Sequence, residues 1–302
     1  MPRERFLVFG SPLIEQPEID EVVDCLRSGW IGTGPRVTRF EEQFREYIGA
    51  DHGVAMNSCT AAPHLSLLAL GVGPGDEVIV PSMTFVATSN AVVHAGATPV
   101  LVDCDRRSMN VDPETIETEW KGRHAGTFGE IGCFSFYVTK NVVTGEGGMA
   151  IPSRRDLADQ MRTLAPHGMT KDAWRRFSDK GYVHYDVVAA GFKYNMMGIQ
   201  AALRIHQLAR VERTWKRRAE IWKTYDEAFR ELPAFLPAPP EPDTRHAVHL
   251  HPFYQERYGY RRGQLPNAEW ISDRTVSLPL SPKLDDADVA DVVEAVRASL
   301  DA

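Results

Sequence analysis

Between Gly53 and Val102 the chain alternates short apolar runs with helical stretches, and this alternation restricts its fold more than any other feature. Gly53–Met56 leads into a helix over Thr60–Leu70, Glu77–Val80 into a helix near Thr88–His94, and Thr98–Val102 is a further strand. Strands that alternate with helices pair in parallel, with helices packed on both faces of the sheet. In such sheets the working groups gather at the carboxyl ends of the strands. The 302 residues exceed one small domain and suffice for a large α/β domain with a smaller one appended.

Helices flank this region. Gln16–Leu26 carries Ile19, Val22, Val23 and Leu26 on one face and stops at Gly29. Arg36–Ile48 repeats the pattern with Val37, Phe40, Phe44 and Tyr47. Between them lies the glycine-rich loop Ser28–Pro35, with Trp30 exposed in it. Ile199–Leu232 keeps a helical period throughout, as one long helix or two abutting ones, and Pro233 ends it. Its basic run Lys216-Arg217-Arg218 reads as a solvated face. Asp285–Leu300 is a final amphipathic helix.

The charge balance, 34 basic against 41 acidic residues, argues against nucleic acid or an anionic membrane as partner. No apolar run is long enough to span a bilayer, and the first residues lack the form of a signal peptide. Cys25, Cys59, Cys104 and Cys133 have neither metal-ligand nor disulfide spacing. They read as buried free thiols of a cytoplasmic protein without a metal.

Two segments carry chemistry. In Gly126–Met149 an apolar strand, Cys133–Tyr137, runs into Val138-Thr139-Lys140 and a turn with Gly145, Gly147 and Gly148. Burial at a strand end lowers a lysine's pKa and makes its amine a nucleophile able to form a Schiff base. The same lysine could instead snorkel from the sheet edge. In Asn57-Ser58-Cys59-Thr60-Ala61-Ala62 a strand gives way to a helix whose free N–H groups suit a phosphate. Ser58 or Thr60 as a plain helix cap is the alternative.

Seven blocks in order resemble the DegT/DnrJ-type nucleotide-sugar aminotransferases: SGWIGTGP, NSCTAAPHLSLLALGVGPGDEVIVPSMTFVATSNAV, GATPVLVD, FSFYVTKNVVTGEGGM, GFKYNMMGIQAAL, HLHPFYQERYGY and SLPLSP. The resemblance runs nearly end to end. It implies the fold of pyridoxal 5'-phosphate (PLP) enzymes of fold type I, a mostly parallel α/β sheet flanked by helices. Residues 1–213 would form the PLP-binding domain and 214–302 a shortened α+β C-terminal domain. Lys140 matches the lysine that carries the cofactor and moves the proton, and Ser135 matches the serine on the phosphate. Thr60 and Ala61 match the helix-terminus phosphate contacts, and Phe85 the aromatic ring stacked on the pyridine. Asn195 matches an asparagine that reaches the phosphate of a neighbouring subunit, so a homodimer is implied. Trp30 and Thr33 lie in the loop that the family places near its nucleotide-sugar substrate. Glutamate is the implied amino donor. The sister dehydrases of the family lack the lysine, so Lys140 opposes that reading.

The resemblance also leaves gaps. Between Glu117 and Gly126 two family strands are missing, roughly one βαβ unit. With them goes the Asp that pairs with the pyridine nitrogen, a role that Asp103, Asp105 and Asp112 do not fill. Near Arg245–His251 two family blocks are fused, with loss of most of the small domain's sheet. A different class of function therefore stands beside the first, an impaired or non-catalytic remnant that acts through dimerisation or ligand binding.

Overall fold

The computed structural model describes residues 6–106, 109, 127–170, 185–232 and 247–300, together with the backbone of 119–120 and 123–124. Within them the alternating region gives β1 (Val54–Met56), α3 (Ala61–Ala69), β2 (Glu77–Pro81), α4 (Ala87–His94) and β3 (Thr98–Val102). Pro63 falls in the first turn of α3, where its missing N–H would have had no partner in any case. The earlier helices are α1 (Gln16–Arg27) and α2 (Pro35–Ile48), the latter closed by Gly49 in the left-handed region at φ 68°.

Two short strands, β4 (Glu119–Trp120) and β5 (Arg123–His124), pair antiparallel. Then come β6 (Ile131–Ser135), β7 (Gly148–Pro152) and α5 (Arg155–Leu164). The long helical stretch is two abutting helices, α6 (Gly198–Ala209) and α7 (Val211–Phe229). The C-terminal part supplies α8 (Pro252–Tyr258), α9 (Pro266–Ser272) and α10 (Asp286–Leu300).

The strands fall into separate sheets. One has the order β1-β7-β6, with β1 antiparallel to β7. Another is the parallel pair β2-β3, with Glu77 opposite Thr98 and Pro81 opposite Val102, and β4-β5 forms a third. The residues gather accordingly into two compact units. The first comprises Met1–Cys59, Cys133–Ala234 and Ser277–Ala302, and the second Thr60–Gly132 and Phe235–Val276.

In the first unit the apolar faces of α2 and α6 cover the three-stranded sheet. Val37, Phe40, Phe44 and Ile48 of α2 meet Phe136, Met149, Ile151, Ala201 and Ile205, all buried. Phe40 and Phe136 pack edge to face with ring centroids 5.7 Å apart, and Phe44 and Phe134 do so at 5.2 Å. Ile48, not Tyr47, completes the α2 stripe, because Tyr47 turns outward to donate its hydroxyl to Glu212 at 2.6 Å.

Helix α1 also departs from its pattern. It buries Glu18 and Cys25 and leaves Ile19 and Leu26 exposed. Arg210 accounts for this orientation, since its Nη1 reaches Glu18 at 2.5 Å and its Nη2 donates to the Leu13 carbonyl at 2.8 Å. A buried carboxylate demands such a partner.

In the second unit Val80, Val92, Leu101, Val248 and Tyr254 form a core. Beside it Ser82 Oγ lies 2.6 Å from His249 Nδ1, and His249 Nε2 lies 2.9 Å from Glu269. Contrary to the expectation of four buried thiols, Cys59 is half-buried and Cys133 is exposed on β6. Cys133 sits on the terminal strand of its sheet, where one side has no strand neighbour among the described residues.

Candidate active site

Strand alternation sets the first half of the site. Phe134 and Phe136 point into the α2–α6 core, so Ser135 between them faces the opposite side of β6. There its hydroxyl hydrogen-bonds the Cys59 thiol, and the charge of Lys140 acts on the same sulfur. Burial pushes that thiol up, while Ser135 and Lys140 pull it the other way. The 58–59 turn rests directly on β7. A Cβ added to Gly148 would lie 2.6 Å from both Cys59 Cα and the Ser58 carbonyl oxygen.

Lys140 is not at the strand end that the sequence suggested. β6 stops at Ser135, and the chain then turns, with Lys140 N–H donating to the Tyr137 carbonyl at 2.9 Å. The lysine side chain is exposed, so the burial invoked for its reactivity is absent from the isolated chain. What is fixed is its backbone.

The loop from Lys140 to Gly147 lacks regular structure, and side chains of α6 and α7 satisfy its backbone groups. Gln207 accepts from Val143 N–H at 2.9 Å and donates to Val143 C=O at 3.0 Å. Arg204 donates to Val142 C=O at 3.0 Å, and Gln200 to Glu146 C=O at 2.9 Å. Arg218 donates to the carbonyl of Lys140 itself at 3.2 Å. The basic run of α7 is therefore more than a solvated face, since Arg217 also reaches the Leu284 carbonyl and Asp286. Sequence reasoning missed Gln200, Arg204 and Gln207. Their signal was a polar stripe at four- and three-residue spacing on an otherwise apolar helix.

Asn195, Thr33 and Trp30 come together in the same unit. Asn195 Nδ2 donates to Thr33 Oγ1 at 2.6 Å, and that hydroxyl donates to the Met196 carbonyl at 2.6 Å. The hydroxyl proton is thus engaged, so Asn195 must turn its nitrogen to Thr33. Its Oδ1 stays buried without a hydrogen-bond partner among the described residues. Trp30 is partly buried, not exposed, and donates its indole N–H to the Thr33 carbonyl at 3.0 Å.

The remaining predicted residues belong to the second unit. Thr60 precedes α3 as its N-cap and makes no side-chain cap bond. Ala61 opens the helix. Phe85 lies just before α4 with its side chain 77% exposed, leaving the ring available for stacking. Asp103 accepts from the N–H groups of Asn267 and Ala268 at the start of α9, a helix-capping role. Asp112 lies outside the described residues.

The profile of the DegT/DnrJ/EryC1/StrS aminotransferase family matches residues 12–118, 115–251 and 245–297. The chain belongs to this family. As a member it is a PLP-dependent aminotransferase. It is 38% identical to the spore coat polysaccharide biosynthesis protein SpsC of Bacillus subtilis, over 98% of this chain and 97% of that one. Among solved structures, the putative sugar aminotransferase Spr1654 of Streptococcus pneumoniae in its PLP form superposes with a TM-score of 0.83 at 26% identity. That match covers 98% of each chain. The aminotransferase TlmJ of Streptoalloteichus hindustanus gives 0.84 at 28%, over 98% and 99%.

The alignment to SpsC runs over 378 positions, although the chain has 302 residues, so at least 76 positions face a gap here. The three segments of the family match meet at 115–118 and at 245–251.

The residues present fit PLP at one end. A hydroxyl, the turn seated on Gly148 and an amine suit a phosphate and an aldehyde.

Proposed function

We propose that the chain moves an amino group from glutamate to a keto-sugar nucleotide, with PLP held on Lys140. The observation that carries this reading is that Ser135 and the charge of Lys140 both act on the Cys59 thiol, in the turn seated on Gly148 of β7. The descriptions of SpsC as a polysaccharide biosynthesis protein and of Spr1654 as a sugar aminotransferase favour a sugar substrate.

When bound, PLP supplies an electron sink for the carbon that loses its proton. The chain's own groups do the rest. Lys140 would hold the aldehyde carbon and, as a free amine, would take up and return a proton. Ser135, Thr60 and Ala61 would hold the phosphate. Phe85 would offer its ring for stacking. Trp30 and Thr33 contact the sugar nucleotide.

Residues 1–213 act in this reading as the PLP-binding domain, and 214–302 as its shortened companion. The working unit is a cytoplasmic homodimer in which Asn195 serves the partner's phosphate after leaving Thr33. Trp215 and Trp222, 52% and 60% exposed and one heptad apart on α7, provide apolar surface for such an interface. No described helix is long and apolar enough to cross a membrane.

A second reading rests on the absence of at least 76 positions and the division of the described strands into separate sheets. In it the chain is an impaired remnant that holds PLP weakly and does not turn over. A transamination assay with glutamate and a panel of keto-sugar nucleotides separates the two. The first predicts turnover at an enzyme's rate, roughly 1–10³ per second. No turnover, restored when the matching SpsC segment is inserted between Glu117 and Thr118, would establish the second.

A further inference from the structure

Gln200, Arg204 and Gln207 stand on one face of α6, four and three residues apart, and that face meets the loop behind Lys140. All three are buried. A buried polar side chain on a core helix is costly unless its hydrogen bonds are made, so such a stripe calls for a specific partner. Here the partner is main chain. Gln207 engages both backbone groups of Val143, as a neighbouring strand residue would. Gln200 donates to Glu146 C=O at 2.9 Å and to Asn57 C=O at 3.3 Å, and so ties the lysine loop to the residue before the Ser58–Cys59 turn.

Arg204 is the unusual member. Its guanidinium is fully buried against the rings of Phe40 and Phe136, with burial holding its pKa well below the ordinary arginine value. Its only hydrogen bond among the described residues is to Val142 C=O, and Nε and Nη1 have none. Ring faces offset part of the desolvation of this cation. From α7, Arg218 adds the bond to Lys140 C=O. The exposed lysine thus stands on a backbone clamped at residues 140, 142, 143 and 146 by four side chains.

The geometry points to Gln207 and Arg218 as positioning residues that set the reach and orientation of the Lys140 amine through its own loop. Neither needs to touch the cofactor. This inference rests on the reading of Lys140 as the PLP lysine. A loop held at four points presents its side chain from a fixed origin, which is the condition for an amine to meet an aldehyde carbon without searching.

The test uses Gln207→Leu, which keeps volume and removes three bonds, and Arg218→Ala, a partly exposed site where misfolding is not at issue. Cofactor-free protein is examined by amide hydrogen exchange over 140–147, then titrated with PLP, and the pH midpoint of the bound cofactor's visible band is followed. The inference predicts at least tenfold faster exchange at Val143 in Gln207→Leu. It predicts at least tenfold weaker PLP binding and a displaced pH midpoint in both variants, with melting temperature held in Arg218→Ala. PLP affinity and pH midpoint equal to wild type in Arg218→Ala would overturn it, whatever the fate of Gln207→Leu. A wild-type chain that takes no PLP on Lys140 would instead overturn the reading beneath it.

Discussion

Gln207 holds Val143 at both of its backbone groups, accepting at 2.9 Å and donating at 3.0 Å, three residues beyond Lys140. This pairing makes α6 a buttress of the loop as well as a wall of the core. The active site is in that sense built from the helix outward, and its weak points lie where the loop and turn rest on the sheet.

Gly148 is one such point. Substitution to Ala places a methyl 2.6 Å from Cys59 Cα, against backbone that cannot yield cheaply. Gly148→Ala should destabilise the fold by about 1–3 kcal/mol, the usual cost of overpacking. It should also lift the 58–59 turn and weaken PLP binding. Urea unfolding and a PLP titration check the two effects, and a variant unchanged in both would remove Gly148 from the site.

Phe85 tests binding without stability. Because its ring is exposed, Phe85→Ala should leave the melting temperature within a few degrees of wild type. Loss of stacking worth about 0.5–1.5 kcal/mol should weaken PLP roughly 2- to 13-fold. Calorimetry with PLP reads the loss directly, and equal affinity would assign the ring elsewhere.

Arg210 secures α1. Removing it in Arg210→Met leaves Glu18 buried and unpaired, a loss of about 3–5 kcal/mol. The double variant Arg210→Met/Glu18→Leu should recover most of that stability in urea unfolding. Absence of recovery would mean that the pair contributes through Leu13 and Glu15 instead.

Glu41 sets a pH dependence. The residue reaches the surface, yet its carboxyl is enclosed by protein and accepts Ala55 N–H at 2.7 Å. Burial pushes its pKa up to about 7 from 4.5, against the opposing pull of Ala55, Arg162 and Arg45. The folded chain therefore binds this proton more tightly than the unfolded one. The stability it contributes is present in full below pH 4.5 and is lost as pH rises through 7, by no more than about 3 kcal/mol. Glu41→Gln should flatten the unfolding free energy between pH 4.5 and 7, and an unchanged slope would place its origin elsewhere.

The subunit role of Asn195 has its own test. If Asn195 serves the partner's phosphate, a mixed dimer of Lys140→Ala and Asn195→Ala chains contains one intact site. Mixing the two inactive variants should then restore up to a quarter of wild-type activity. No restoration would confine Asn195 to its bond with Thr33.

Much of the fold was legible because it obeys local periodicity. The strand over Thr98–Val102 and the helices beginning at Gln16 and Gly198 follow from apolar spacing and from Gly or Pro at their ends. The orientation of α1 was hidden, since a single ion pair from residue 210 outweighs an apolar stripe. The exposure of Lys140 was hidden too, because the apolar run continues through Phe136 and Tyr137 beyond the regular strand, which ends at Ser135, and the chain then turns at Tyr137. The roles of Gln200, Arg204 and Gln207 depend on backbone groups some 60 residues away, which no local pattern encodes.

Whether Lys140 carries the cofactor is met directly by one labelling measurement. Purified protein loaded with PLP is reduced with borohydride and digested, and the modified peptide is identified by mass. A pyridoxyl group is expected on Lys140 and none after Lys140→Ala. A label on another lysine, or one that persists in Lys140→Ala, would contradict it.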